Sequence, residues 1–507
     1  MLAAMPSAPG QPFRSGPVPA RDRADACPGA LRLHSADDGA LARIRVPGGV
    51  LTSAQAAALG EAASRLGDGD LHLTSRGNVQ LRGLGATCGG ALEELLTAAG
   101  LLPSPAHERV RNVVASPLSG LDGLGHADIR PWLRALDALL CGSGPARALS
   151  GRFLFALDDG RGDVAALAPD VTLRAAPDSS ALLRLGRAAP LGLPAAEAPR
   201  AALLAAEAFT DAARTEPTGE PGVWRVTELP DGGAALTERL ARLLAASGVP
   251  VTWPAPTPGP GPWPAGPAPR PGLVRDPAAP GSAALSVLAP LGRLTPDQWR
   301  ALADAASRTP AGELRLTPWR GAVVPAVPAD RAPAELAVLA AAGLVTDESS
   351  PWAGVGACTG RPGCAKALAD VRADAATTVA DHAGTDRTAT DRTAADRTAT
   401  DRAATDRAAT DRAATDRAAG QTASGGRLLP VYWSGCERAC GRPRGDRVDV
   451  VATAEGYRVD LVRGGVPVTR GTAVPSAPTD PSASTDPSAP SDLAATVAAA
   501  RRGAVSR

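Results

Sequence analysis

Alternating apolar and polar positions mark the first ordered part of the chain, between residues 41 and 100. The alternation in 41–47 has the period of a half-buried strand. Thr52 and Gln55 have the spacing of a helical capping box, and Gly67 ends the apolar pattern that follows them. In chain order, the predicted elements are a strand at 41–47, a helix at 52–66, strands at 70–74 and 79–84, and a helix at roughly 90–100.

The same pattern returns 243 residues further along the chain, where the capping box recurs as Thr295 and Gln298. So many identities at one offset indicate the internal duplication of a whole unit. We therefore predict an α+β protein with two ferredoxin-like half-domains packed about a pseudo-twofold axis. The repeated residues include Pro47, Gly49, Leu51, Leu71, Leu73 and Thr74, which recur as Pro290, Gly292, Leu294, Leu314, Leu316 and Thr317.

Each half-domain precedes a longer stretch of mixed strand and helix signals, including a hairpin predicted at 447–465. The pentad repeat at 386–419 has no large apolar side chain, so we expect a mostly disordered insertion. The predicted organisation is a disordered N-terminus (1–26), half-domain 1 (27–104), α+β domain 1 (105–246), a Pro/Gly-rich linker (247–280), half-domain 2 (281–346), α+β domain 2 (347–473) and a low-complexity tail (474–507).

Composition narrows the classes of partner. The 507 residues carry a net charge of +1, so we expect neither a nucleic-acid nor a membrane partner. The N-terminus lacks the apolar core of a signal peptide, and no apolar run is long enough for a membrane span. Seven cysteines in such a chain fit a reducing compartment, so we expect a cytoplasmic protein.

Four cysteines carry the strongest chemical signal. They form two pairs, Cys358-x5-Cys364 and Cys436-x3-Cys440, with glycines close by. Two short loops that each present two thiolates suit an iron–sulfur cluster. A four-cysteine zinc site, two disulfides and four unrelated thiols remain open from spacing alone.

The cysteine spacing, the duplication and the turn LTSRGNVQLRG (73–83) together resemble the nitrite/sulfite reductase superfamily. Within it, the segments 27–49 and 314–321 are most similar to the precorrin-3B synthase family. The resemblance covers about 27–245 and 280–470. It implies two ferredoxin-like half-domains, two α+β haem-protein-like domains and a [4Fe-4S] cluster on the four cysteines.

The resemblance also implies basic residues that bind the carboxylates of a tetrapyrrole between the two halves. Sulfite reductases have two cations around the phenylalanine that is Phe153 here, but this chain has Leu154 at the second of these positions. A tetrapyrrole substrate fits that difference better than reduction of a small anion. The implied substrate-binding residues are Arg76, Arg111 and Arg152, with Arg82 and Arg320 in second rank.

The implied reaction is an oxygen-dependent monooxygenation of precorrin-3A at C20 with closure of a γ-lactone, in cobalamin biosynthesis. It requires dioxygen and an electron donor, such as a ferredoxin, flavodoxin or reductase, and implies a mononuclear non-haem iron. No histidine has the spacing of an iron ligand, and His72 is expected to be solvated. The alternatives are a sirohaem-containing, ferredoxin-dependent nitrite or sulfite reductase and a non-catalytic iron–sulfur or zinc scaffold.

Overall fold

The computed structural model describes residues 27–215, 223–254, 266–381, 428–473 and 492–502. They form four five-stranded sheets, two in the half-domains and two in the α+β domains. The predicted fold class, an internally duplicated α+β architecture, is confirmed by the matching strand orders. The pentad repeat and His382 lie outside the described residues.

The first half-domain begins with a hairpin of β1 and β2, in which β2 is the strand predicted at 41–47 and β1 was not predicted. Its helix α1 has Thr52 as N-cap with a complete capping box to Gln55, as predicted. Its elements are β1 (His34–Ala36), β2 (Gly39–Ile44), β3 (Val50–Thr52), α1 (Ser53–Leu66), β4 (Leu71–Leu73), β5 (Val79–Leu84) and α2 (Gly89–Ala98).

The second half-domain repeats this order, and Thr295 and Gln298 again form a complete capping box. Its elements are β11 (Gly272–Arg275), β12 (Ser282–Leu288), β13 (Arg293–Leu294), α6 (Pro296–Ser307), β14 (Glu313–Leu316), β15 (Gly321–Pro328) and α7 (Ala332–Ala341). Because β11 lies in this sheet, the half-domain begins inside the predicted 247–280 linker, and that boundary is corrected.

The two half-domains exchange edge strands. Strand β13 of the second half pairs with β4 of the first, and β3 of the first half pairs with β14 of the second. The Nε1 of Trp299 on α6 donates to the carbonyl oxygen of Ala56 on α1 at 2.7 Å. Buried residues of both halves form one continuous hydrophobic core, so the halves form a single unit.

The two α+β domains share one topology, in which three parallel strands continue into two antiparallel strands. The first domain contains β6 (Val113–Ala115), α3 (Arg130–Gly142), β7 (Phe155–Asp158), β8 (Val171–Ala175), β9 (Ser180–Leu185), β10 (Leu191–Pro194), α4 (Ala198–Thr215) and α5 (Ala234–Ala246).

The second domain carries the cysteines and includes the predicted hairpin, whose strands are β18 and β19. It contains β16 (Val355–Ala357), α8 (371–381 in its described part), β17 (Val431–Ser434), β18 (Arg447–Thr453), β19 (Gly456–Arg463), β20 (Val466–Ala473) and α9 (Asp492–Arg501).

Helix α9 corrects the predicted low-complexity tail (474–507) over Asp492–Arg501, and residues 474–491 and 503–507 lie outside the described residues. Leu493, Val497 and Ala500 recur at helical spacing and are buried in the core of the second α+β domain. The alanine-rich composition concealed this stripe in the sequence. None of the helices described here is long and apolar enough to cross a bilayer.

Candidate functional site

Cys358 and Cys436 are brought together by two neighbouring parallel strands. Cys358 directly follows β16 and Cys436 lies two residues beyond β17, so both lie at the same sheet edge. The backbone N–H of Cys358 donates to the Trp433 carbonyl at 2.9 Å. The Gly435 N–H donates to the Cys358 Sγ at 3.2 Å, a contact that stabilises a thiolate. The 66 residues between Cys364 and Val431 thus separate the pairs in sequence only.

The other two cysteines lie in tight loops that reach the same place. A Cβ at Gly435 would lie 2.7 Å from the Ala367 Cβ, so only glycine fits beside Cys436. Burial raises the pKa of Cys440, and the thiols of Cys436, Cys358 and Cys364 raise it further. The thiol of Cys440 therefore lies within electrostatic reach of the other three thiols.

The spacing of the thiols argues against zinc. Sulfurs bound to one zinc ion lie roughly 4 Å apart, because each Zn–S bond is about 2.3 Å long. Within the described ranges, no three cysteine sulfurs lie within 4.8 Å of one another. Thiolates around a cubane are more widely separated, because each binds a different iron. The arrangement fits a cluster better than a zinc ion.

Three arginines donate to backbone carbonyls of the cysteine loops. Arg82 donates to Gly363 at 2.5 Å, and Arg320 donates to Gly441 at 2.9 Å. Arg372 donates from Nε to Cys358 at 3.2 Å. This positive surround suits the net negative charge of a four-thiolate cluster. The residues present therefore fit a [4Fe-4S] group held by the four cysteines.

Two of the predicted substrate ligands, Arg82 and Arg320, make further contacts inside the protein. The guanidinium of Arg82 also makes a bidentate ion pair with Asp38, at 2.7 and 2.8 Å. Arg320 lies over the ring of Tyr432 and also donates to its hydroxyl. Their donors are directed at the cysteine loops and support that site, and the binding of a substrate by Arg82 and Arg320 stays a prediction.

Arg111, a third predicted ligand, is paired inside the protein. Its side chain is buried and makes a bidentate ion pair with Asp137 on α3, with both N–O distances 2.8 Å. A further nitrogen donates to the Leu101 carbonyl at 3.1 Å. The partner Asp137 lies on α3, which packs beside Arg111 in the folded domain. The sequence spacing of the two residues does not reveal this ion pair. The ion pair gives Arg111 a structural role, and its binding of a substrate stays a prediction.

Arg76 keeps its predicted place in a cationic surface. Its Nη1 donates to the Gly151 carbonyl at 3.3 Å, and Arg45 donates to the same oxygen at 3.5 Å. Burial lowers the pKa of Arg76 to about 10, with a further lowering from Arg225. Cations held this close together favour the binding of a polyanion.

Arg225 and Arg444 extend this surface toward the cysteines. Arg225 pairs with the buried Asp170 at 2.6 Å. Arg444, four residues after Cys440, donates to the Leu167 carbonyl of the first α+β domain at 3.0 Å. Burial lowers the pKa of Arg444, and Arg225 contributes to the lowering. We call Arg45, Arg76, Arg225 and Arg444 the cationic face.

Arg152 lies at the margin of this region. It is exposed, and its guanidinium carbon lies 4.7 Å from the ring centre of Trp224. A cavity of about 280 Å³ opens beside Trp224, lined also by Arg109 and Arg147. This volume is below the roughly 300–1,000 Å³ of pockets that enclose a whole ligand, so the cavity does not enclose a tetrapyrrole.

His72 contradicts the expectation that it is solvated. It is buried, because β4 is covered on its outer side by residues near the first cysteine loop. With Asp68 and Asp70 it forms the one three-ligand group found among the described residues. Arg372 donates to its Nδ1 at 3.2 Å, which places the proton of the neutral ring on Nε2, and Arg293 pairs with Asp70. This group does not fit an iron ion.

Sequence reasoning missed Arg372, Arg225 and Arg444. Arginine is so common in this chain that neither charge nor spacing distinguishes them. Arg372 and Arg444 could have been found from their position in the sequence, because each follows a cysteine pair within eight residues.

Comparison with known proteins agrees with this architecture. The family described as "Nitrite/Sulfite reductase ferredoxin-like half domain" matches residues 34–99 and 277–342, at the offset of the internal repeat. The structure of the Mycobacterium tuberculosis NirA protein is similar, with a TM-score of 0.57 at 20% identity. That similarity covers 83% of this chain and 74% of the other. It supports the fold.

Curated relatives match over shorter stretches. A ferredoxin–nitrite reductase of Synechococcus elongatus is 35% identical over 24% of this chain. A precorrin-3B synthase of a Sinorhizobium species is 32% identical over 30% of it. These matches span 25% and 33% of the relatives' own lengths. The chain thus contains two nitrite/sulfite reductase ferredoxin-like half domains and has the duplicated α+β fold that they build.

Proposed function

We propose that this chain is a precorrin-3B synthase, an oxidoreductase that hydroxylates precorrin-3A at C20 and closes a γ-lactone. The observation that carries the proposal is Leu154. Its side chain is buried with Val114, Ala156 and Val164, at a position where the resemblance implies a second cation in sulfite reductases. A buried leucine cannot hold a small anion for six-electron reduction.

The cationic face suits a larger, carboxylate-rich substrate. Arg76 and Arg444 donate to backbone carbonyls and can turn donors toward carboxylates, whereas the buried Arg45 and the Asp170-paired Arg225 contribute positive charge to the face. Arg444 connects this face to the loop of Cys440, so a bound macrocycle would lie beside the cysteines. Such a bound position would fix the substrate relative to the source of electrons.

The stoichiometry of the hydroxylation defines how many electrons and protons the enzyme must receive. One atom of dioxygen enters the product and the other leaves as water, with two electrons and two protons supplied. The electrons come from an external one-electron donor such as a ferredoxin or flavodoxin. A [4Fe-4S] cluster on Cys358, Cys364, Cys436 and Cys440 would relay these electrons singly. The cationic face orients the macrocycle and holds its carboxylates.

The alternative is a sirohaem-containing, ferredoxin-dependent nitrite or sulfite reductase. The observation in its favour is that two nitrite reductases, from Synechococcus elongatus and Leptolyngbya laminosa, are 35% and 34% identical over their matched segments. In that case the cationic face would hold the carboxylates of a resident cofactor.

An absorption spectrum and an isotope experiment separate the two. We expect the purified protein to show iron–sulfur charge-transfer absorption without sirohaem bands. With precorrin-3A, labelled dioxygen, ferredoxin and ferredoxin reductase, the product should gain one labelled oxygen atom. An unlabelled product would refute the synthase. Sirohaem bands together with conversion of nitrite or sulfite would establish the reductase.

A further inference from the structure

Arg372 joins the first half-domain to the first cysteine loop. It lies at the second residue of α8 and is partly buried. Its Nε donates to the Cys358 carbonyl at 3.2 Å, and its Nη1 donates to the Nδ1 of His72 at 3.2 Å. The guanidinium is therefore fixed at two points, one on each side of the boundary between the domains.

His72, the second residue that Arg372 contacts, is buried in the half-domain. His72 lies on β4 and is 6% exposed. Its Nε2 lies 3.9 Å from the Oδ2 of Asp68, and because Arg372 can only donate, the ring proton is directed toward this carboxylate. Asp68, His72 and Arg372 thus form a polar chain from the half-domain to the backbone of a cysteine.

The charge on Arg372 lacks a carboxylate partner within the described ranges of the chain. Burial lowers the pKa of Arg372 to about 10, and Arg293 and Arg82, which are themselves paired with Asp70 and Asp38, lower it further. The Cys358 thiol acts in the opposite direction. A partly buried cation without a carboxylate partner is stabilised by an anion placed beside it.

A four-thiolate cluster would be that anion. We infer that Arg372 is a positioning residue whose charge offsets that of the cluster and raises the cluster's reduction potential. Reduction adds an electron to a group that is already negative, so a fixed cation nearby stabilises the reduced form more than the oxidised form. The inference rests on the proposed cluster and does not depend on which substrate the enzyme uses.

Redox titration of the full-length holoprotein, followed by electron paramagnetic resonance, tests the inference. Arg372→Gln should shift the midpoint potential to more negative values, and Arg372→Lys, which keeps the charge, should shift it much less. Arg501→Gln is the matched control. Arg501 is a buried arginine of the same domain that donates to the carbonyls of Leu429 and Ala353, and burial alone lowers its pKa.

Each outcome has one interpretation. Wild-type protein without iron and sulfide would refute the proposed cluster itself. A loaded wild type with equal midpoint potentials in wild type and Arg372→Gln would overturn the role of Arg372. If Arg372→Gln does not fold, Arg372→Lys tests the positioning role, because a lysine ammonium cannot make both contacts of the guanidinium. Loss of the two-point contact should then speed the release of iron to a chelator, and release at the wild-type rate would contradict the inference.

Discussion

Ser116 occupies in the first α+β domain the position that Cys358 occupies in the second. The Ser116 N–H donates to the Leu157 carbonyl at 3.0 Å, as the Cys358 N–H does to the Trp433 carbonyl at 2.9 Å. The hydroxyl of Ser116 accepts from the Asp159 N–H at 3.2 Å, as the Cys358 sulfur accepts from Gly435. The pseudo-twofold relation therefore extends to single hydrogen bonds.

This relation moves the expected counterpart of Cys358 by one residue. The constant offset of 243 points to Ala115, but Ser116 makes the equivalent contacts. In place of a second cluster, the first domain has a buried carboxyl group. The Ser116 hydroxyl donates to the Oδ1 of Asp163 at 2.6 Å, and the Oδ2 of Asp163 is buried without a partner among the described residues.

The first prediction concerns Asp163. Burial raises its pKa to about 7, and Asp158 contributes to the rise. Between the unfolded value of about 4 and this value, the folded protein holds a proton that the unfolded chain releases, so folding stability falls as pH rises. Asp163→Asn should abolish this pH dependence. Its folding stability should therefore rise relative to that of wild type by up to about 1.4 kcal/mol for each pH unit in that window.

Urea unfolding at a series of pH values measures this difference. The exposed Asp330 is the control, and Asp330→Asn should run parallel to wild type. A constant offset between Asp163→Asn and wild type across the window would show that Asp163 is ionised in the folded protein.

The second prediction concerns the cysteines. Cys436→Ala should remove the iron–sulfur absorption and most of the bound iron and sulfide, because each thiolate binds a separate iron. Cys88→Ala is the control, since Cys88 is a partly buried thiol that packs against the core of the half-domains. Iron retained at the wild-type level in Cys436→Ala would exclude this residue as a ligand.

The third prediction concerns Arg111. Removal of one partner from its ion pair with Asp137 leaves the other charge without compensation, so Arg111→Ala should cost roughly 3 kcal/mol of folding stability. Asp137→Ala should cost a similar amount, and the double variant less than the sum. A double-mutant cycle from urea unfolding measures the coupling. Additive losses would show that the pair is not coupled and leave Arg111 available as a ligand.

The fold was predictable because its signals are local and repeated. Capping boxes at Thr52 and Thr295 fix two helix starts, and the recurrence at one offset identifies the duplication. The exchange of β3 and β13 was not predictable, because these strands have three and two residues and pair with a distant half of the chain.

The site was predictable only where its residues belong to a type that is rare in this chain. Four cysteines stand out in a chain with seven, whereas five chosen arginines do not stand out among many. What distinguishes Arg76 from Arg111 is whether a carboxylate such as Asp137 lies opposite, and tertiary packing decides this. The partner of an arginine cannot be read from a motif.

The fourth prediction concerns Arg76. Loss of its charge from the cationic face should weaken the binding of precorrin-3A by about 2 kcal/mol, or roughly 30-fold, with the iron content unchanged. Arg200→Ala is the control, because Arg200 pairs with Glu197 on the exposed side of α4. Fluorescence or absorbance titration under anaerobic conditions measures the affinity without turnover. Equal affinities in wild type and Arg76→Ala would remove Arg76 from the substrate site.

The last prediction concerns the pentad repeat. The pairing of Val355 with Val431 already aligns β16 with β17, and the contacts that join the cysteine loops lie within 354–381 and 428–453. Deletion of 386–419 should therefore leave the iron content and the spectrum unchanged. A deletion of the same segment in the Cys436→Ala variant is the control for iron bound elsewhere. Loss of iron in the deletion alone would show that the repeat contributes to the cluster site.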